Sequence, residues 1–316
     1  MTSQTIDSGH DYAIIATTDD GLTRVLAART TRLADEARRR HDASPTASAA
    51  LGRTLTGAAL LGMTLKDRGT VTLRLFGDGP LGGVIAEADA SGNVRGYAKD
   101  PSADLPPTPG GKLNVGGLVG RQGFCYVTRD MGLKEPYTGT SPLVSGDVGE
   151  DLTRYLYRSE QTPSAVALGV LVAPPGEVRA AGGLFVQLMP RPADLQGGGG
   201  DEEVEAAHEG LAERLETTIG GMKSVSRLIE AGLRPEDLVA RVLGDLPYTI
   251  HEARPLRFQC RCSRERAAGT LAALRREELD EIVASGEGAE LICQFCGEAY
   301  RFRPEELRGP APGEDG

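Results

Sequence analysis

The first half of the chain alternates apolar and polar positions, the period-two pattern of half-buried strands. Asp11–Thr18, carrying Tyr12, Ile14 and Ile15, and Leu22–Ala28 predict two strands around the turn Asp19-Asp20-Gly21. Thr70–Phe76 alternates Val71, Leu73 and Leu75, and Val84–Asp89 and Asn93–Tyr97 continue as strand. Gly123–Arg129 predicts another strand, with Cys125 as a half-buried thiol. Ala165–Val172 is a continuous apolar run, expected as a buried strand, joined through Pro174-Pro175-Gly176 to its partner Gly183–Met189. Helical spacing marks Thr31–His41, Thr46–Leu65 and Gly149–Ser159. The second helix opens on Ser44-Pro45, a cap followed by proline at the first helical position. Its small residues Ala49, Ala50, Gly57, Ala58 and Ala59 allow close packing. Residues 1–195 are therefore expected to form an α+β domain with a mixed or antiparallel sheet.

The pattern changes at Pro190–Gly200, where two prolines and Gly197–Gly200 mark a boundary. From Asp201 to Gly232 the apolar positions fall on one helical stripe: Val204, Ala207, Leu211, Leu215, Ile219, Met222, Val225 and Ile229. Gly220-Gly221 interrupts it at a cost of about 2 kcal/mol. Pro235 starts a further helix, Glu236–Leu243. Residues 196–253 are expected as a helical linker, either packed in the ordinary way or detachable.

In residues 254–316 the candidate chemistry is sulfur. Four of the chain's five cysteines fall there in two close pairs: Cys260-Arg-Cys262, thirty residues, then Cys293-Gln-Phe-Cys296. Two close pairs separated by a spacer can bring four sulfurs to one tetrahedral centre. Gly297 permits the tight turn behind the second sulfur of a metal-binding knuckle. The apolar residues available, such as Phe258, Leu271, Leu279, Ile282, Leu291 and Phe302, make a thin core. A unit that small usually needs a staple, and four-thiolate zinc binding supplies about 10–16 kcal/mol. Zn2+ on Cys260, Cys262, Cys293 and Cys296 is the expectation; core thiols or permanent disulfides are the alternatives.

Composition narrows the function. The formal net charge is −10, and Leu256–Gly316 holds nine Arg, no Lys and twelve acidic residues. No nucleic-acid partner is expected on such a surface. No apolar run approaches about 18 residues, so no membrane partner is expected either. Met1–Asp11 lacks the pattern of a signal peptide, which predicts a cytoplasmic protein, where thiols stay reduced. Gly77-Asp-Gly79-Pro-Leu-Gly82 spells a dinucleotide fingerprint, but strand follows it and Pro80 removes a donor, so a hairpin turn is expected.

No enzyme is expected. A thiol oxidoreductase would place its C-x-x-C at the start of a helix, whereas Cys293–Cys296 is followed by Gly297 and the strand-like Ala299–Phe302. A metallohydrolase would need a spaced histidine pair, which His10, His41, His208 and His251 do not form. His251 lies nine residues before Cys260 and is expected at the surface or in the core rather than as a ligand.

Phe258-Gln-Cys-Arg-Cys-Ser-Arg-Glu-Arg266 and Leu291-Ile-Cys-Gln-Phe-Cys-Gly-Glu-Ala-Tyr300 resemble the zinc signature of the redox-regulated holdase chaperones of the heat-shock protein 33 family. Arg129–Lys134, Pro136–Gly139 and Ser159–Ala165 also resemble that family. The resemblance implies ATP-independent binding of unfolded client proteins, switched on by oxidant and heat, and a homodimer on activation. It implies disulfides Cys260–Cys262 and Cys293–Cys296 in the oxidised form. Zinc would then be lost, the tail and linker would loosen, and the stripe at Leu211, Leu215, Ile219 and Met222 would be uncovered.

Overall fold

The computed structural model describes residues 9–66, 68–132, 134–174, 176–189, 217 and 224–307. The chain divides into two compact units, Met1–Gln259 and Cys260–Gly316.

The first unit is built around one helix. After strands β1 (Tyr12–Thr18) and β2 (Thr23–Arg29) and helix α1 (Thr31–His41) comes α2, Pro45–Gly62. Ser44 caps α2 by accepting from the Ala47 amide. Every α2 residue but Pro45 and Arg53 is buried. Such burial demands an apolar or self-satisfied surface all round. The threonines comply: Thr54 and Thr56 donate to the carbonyls of Ala50 and Gly52 at 2.8 and 2.7 Å. Helix α2 packs between two sheets. Gly52 makes room for Val170 and Ala34, and Gly57 for Leu73 and Leu152.

The six-stranded sheet has the order β11-β5-β4-β3-β6-β7. Its strands are β3 (Thr70–Phe76), β4 (Val84–Asp89), β5 (Asn93–Ala98), β6 (Phe124–Asp130), β7 (Tyr137–Pro142) and β11 (Arg257–Phe258). The Gly77–Gly82 segment is the turn between antiparallel β3 and β4, as expected. It interlocks with the C-terminal end of helix α3 (Val115–Val119), since Gly79 and Leu81 donate to the Val119 and Leu118 carbonyls. A Cβ on Gly79 would lie 2.3 Å from the Leu118 oxygen.

The five-stranded sheet has the order β10-β1-β2-β9-β8, adding β8 (Ser164–Ala173), β9 (Glu177–Leu188) and β10 (Tyr248–Pro255). One face meets α2. The other carries Tyr12, Ile14, Val25, Leu184 and Val186 under helices α5 (Val225–Glu230) and α6 (Pro235–Leu243), which contribute Leu228, Ile229, Leu238, Val239 and Leu243. Helix α4 (Val148–Ser159) packs on β7 and β8.

Several expectations change here. Tyr248–Ala253, expected within the helical linker, is strand, paired antiparallel to β1. Its side chains are mostly exposed, so main-chain pairing rather than apolar alternation holds it. Ala165–Val172, expected buried, is largely half-buried because β8 is the sheet's edge strand. Cys125, expected half-buried, is fully buried, because its strand is interior and its side chain joins the core shared with α2. Strand β7 and helix α3 were not apparent from the pattern. Val204, Ala207, Leu211, Leu215, Ile219 and Met222, with the Gly220-Gly221 pair, lie outside the described residues. No described helix is long and apolar enough to cross a membrane.

The second unit holds α7 (Arg264–Ala272), α8 (Arg276–Ser285), the hairpin β12 (Ala289–Ile292) and β13 (Ala299–Phe302), and α9 (Pro304–Leu307). Its apolar cluster has Leu271, Phe302 and Leu307 buried, with Leu279, Ile282, Val283, Leu291 and Tyr300 only partly covered. No residue of α8 is buried. The core is as thin as the sequence predicts.

Candidate metal centre

Each cysteine pair is held by local hydrogen bonding. The Cys293–Cys296 turn closes the hairpin: the Cys293 amide donates to the Glu298 carbonyl at 2.9 Å, and the Gly297 amide donates to the Cys293 carbonyl at 2.8 Å. Gly297 sits at φ 73°, in the left-handed region where a side chain is strained. The Cys260-Arg-Cys262 pair leads directly into α7. Ser263 caps that helix by accepting from the Arg266 amide, and Arg266 returns a hydrogen bond to the Arg261 carbonyl at 2.8 Å.

Arg264 joins the two pairs. Its guanidinium donates to the Arg301 carbonyl at 2.9 Å and to Glu306 at 2.8 Å, and it lies 4.4 Å over the Phe302 ring. The Ser-Arg-Glu-Arg run therefore seats the first pair against the hairpin that carries the second.

The four sulfurs all lie within 4.8 Å of one another. Cys260 and Cys293 are separated by 3.7 Å, and Cys262 and Cys296 by 3.4 Å. A tetrahedral ion with metal–sulfur bonds of about 2.3 Å has sulfur–sulfur edges of about 3.8 Å. The spacing fits such an ion and exceeds a disulfide length of about 2.05 Å. None of the five cysteines is in a disulfide. The residues brought together are the four expected ligands, and the four sulfurs can hold a metal ion. Cys125 is not among them. His251 is exposed on β10, its ring bonded to the Thr17 hydroxyl.

The electrostatics call for a cation. Burial pushes the thiols of Cys293 and Cys296 up, most strongly at Cys296. Burial therefore disfavours the thiolates of Cys293 and Cys296 until a positive charge sits beside them. The hydroxyl of Tyr300 donates to the Cys262 sulfur at 3.2 Å. This partner was not singled out from sequence; it stands on β13, opposite Leu291 of β12.

Comparison with known proteins gives the family. The profile of the Hsp33 protein family matches residues 11–303. The chain belongs to the Hsp33 family. The 33 kDa chaperonin of Symbiobacterium thermophilum is 51% identical over 298 residues, covering 94% of this chain and 96% of that one. That of Oceanobacillus iheyensis is 43% identical, covering 94% and 98%. The crystal structure of the 33 kDa chaperonin (heat shock protein 33 homolog) of Thermotoga maritima superposes with a TM-score of 0.83 at 36% identity, covering 94% of this chain and 96% of that one. Hsp33 relatives carry the name of a chaperone, not of a catalyst. The fold agrees: the C-x-x-C of this Hsp33 member lies between two strands, not at a helix N-terminus where a thiol oxidoreductase lowers its thiol pKa.

Proposed function

We propose that this chain is a redox-regulated, ATP-independent holdase chaperone whose switch is Zn2+ held by Cys260, Cys262, Cys293 and Cys296. The observation that carries the reading is the four-sulfur cluster inside a unit whose apolar cluster has, among the described residues, three buried side chains. When bound, zinc fixes the sulfurs as thiolates and cross-links the two halves of that unit. A closed all-sulfur donor set, without histidine or carboxylate, suits a structural zinc ion.

Oxidation acts on those sulfurs. Two thiolates give two electrons to one peroxide, forming one sulfur–sulfur bond, while the peroxide takes two protons and leaves as two waters. Repeated once, this yields Cys260–Cys262 and Cys293–Cys296. Both bonds are local, so neither replaces the cross-link, and the unit unfolds as its donors are consumed. In the reduced protein the cross pairs are also close, Cys260 to Cys293 at 3.7 Å and Cys262 to Cys296 at 3.4 Å. Cross pairing would staple the unit shut, so a peptide map of the oxidised protein discriminates between the two outcomes.

The proposed organisation is a client-binding core over 1–195, a linker over 196–253 and the zinc switch over 254–316, with the linker's described helices ending at Leu243. Loosening α5 and α6 would bare Ile14, Val25, Leu184 and Val186 on the five-stranded sheet, an apolar face for unfolded clients. At about 25 cal/mol per Å2, several hundred Å2 of such surface gives usable affinity. The active form is proposed to be a homodimer working in the cytoplasm, with neither nucleic acid nor membrane as partner.

The test follows one sample for zinc content, free thiols and suppression of client aggregation, before and after peroxide at elevated temperature. Zinc release, loss of four thiols and gain of protection should coincide. Full protection with zinc still bound would refute the switch.

A further inference from the structure

Two segments of the family resemblance, around Arg129 and around Glu160, take no part in the sulfur site, yet they meet. Arg129 on β6 donates to Glu160 Oε1 at 2.8 and 3.2 Å and to the Thr64 hydroxyl at 3.2 Å. Arg24 on β2, in the other sheet, donates Nε to Gln187 Oε1 at 3.0 Å, and its Nη2 reaches the same oxygen. Gln187 is only 3% exposed, so this amide is a fixed support. These five residues, with Phe185 and Met131, line a recess of about 330 Å³ where the two sheets meet.

The charges in the recess do not balance. It holds two guanidiniums and one carboxylate, and Glu160 is bound to Arg129. Arg24 has no carboxylate partner among the described residues; the Gln187 oxygen is neutral. Burial and the neighbouring Arg129 cation pull the Arg24 pKa below the ordinary arginine value, outweighing the opposite pull of the Glu160 carboxylate, which is bound to Arg129. Its remaining donors present the planar fork that suits an oxyanion. One uncompensated positive charge matches a monoanion, and Glu160 would repel a dianion such as phosphate. Phe185 is buried and Met131 is 47% exposed, so the recess also has apolar wall and rim. Its volume lies at the small end of ligand sites.

We propose that this recess binds a carboxylate carrying a short apolar group, with Arg24 as the recognising cation. That chemistry is shared by free short-chain acids and by the C-terminal residue of a polypeptide. The site belongs to the reduced, folded protein and stands independently of the sulfur switch.

The test is an NMR titration of the full zinc-loaded chain at neutral pH with N-acetyl-leucine, its amide, 4-methylpentanoate and N-acetyl-Ala-Leu. The acids should shift the Arg24 and Gln187 signals, and the amide should not. Tighter binding of the acetylated peptides than of 4-methylpentanoate assigns the site to polypeptide termini; the reverse order assigns it to free acids. Arg24→Met should weaken binding at least tenfold with an unchanged melting curve, Arg24→Lys should retain most of it, and Glu160→Gln should tighten it. If Arg24→Met does not fold, the Lys and Gln variants decide, since unchanged affinity in Glu160→Gln contradicts the charge argument. Equal shifts from acid and amide, no shift at all, or full affinity in a folded Arg24→Met overturn the proposal.

Discussion

The hydroxyl of Tyr300 points its hydrogen at the sulfur of Cys262, 3.2 Å away. It is a neutral donor placed where a thiolate would carry charge. Groups that hydrogen-bond to metal ligands commonly change metal affinity by about 10–100-fold. Tyr300→Phe keeps the ring in its partly covered place in the apolar cluster and removes only the donor. The variant should fold, yet lose zinc to a competing chelator at about tenfold lower chelator activity. Identical chelator curves would show that the contact is incidental.

Gly297 offers a second handle on the same site. A side chain at its φ of 73° costs about 1–2 kcal/mol. That cost falls on the turn behind Cys296 and therefore on the proposed zinc-bound state. Gly297→Ala should reduce zinc affinity by about tenfold and lower the peroxide dose needed for zinc release, while the melting of the first unit stays put.

Leu238 on α6 is fully buried against the five-stranded sheet. Leu238→Ala should destabilise that packing by about 2–4 kcal/mol. If the covered face is the client surface, this variant should suppress aggregation partly without oxidant and with zinc retained. A destabilised variant that needs oxidant as strictly as the parent would place the client surface elsewhere.

Asp11 gives a pH signature. Its carboxylate accepts from the Leu33 amide at 2.7 Å, in the first turn of α1, and lies 4.0 Å from Arg29. Burial outweighs both and pushes its pKa from 3.8 up to about 6. The folded state therefore binds this proton more tightly than the unfolded chain does. The resulting stabilisation is complete below about pH 4 and is lost as the pH rises through 6, at about 1.4 kcal/mol per unit. Asp11→Asn keeps an acceptor for Leu33 and abolishes the titration. The difference between parent and variant in urea melts should change by about 2–3 kcal/mol from pH 4 to pH 7, in favour of the variant at the higher pH. A flat difference would rule out the shift.

The legible parts of the fold were those with a local period. Thr31–His41 and Thr70–Phe76 have the bounds expected of them, because one turn of helix or one strand face repeats within a few residues. Strand β10 was missed because Tyr248–Pro255 is largely exposed, leaving its place to backbone bonds with β1, more than two hundred residues away in sequence. The apolar run Ala165–Val172 gave its strand type but not its edge position, since a run of apolar residues does not reveal how many neighbours the strand has.

The sequence by itself pointed to the four sulfurs that the fold brings together: residue type, pair spacing and the glycine behind the second pair are local, and so is the deficit of apolar residues around them. It also determined the strand periods and the composition that argues against a nucleic-acid surface. Only the tertiary structure decided that α2 is enclosed by two sheets, that α5 and α6 cover an apolar sheet face, and that Arg24 and Arg129 share one recess. Those facts depend on segments far apart in the chain being brought together, and side chains record their own periodicity but not the identity of a distant partner.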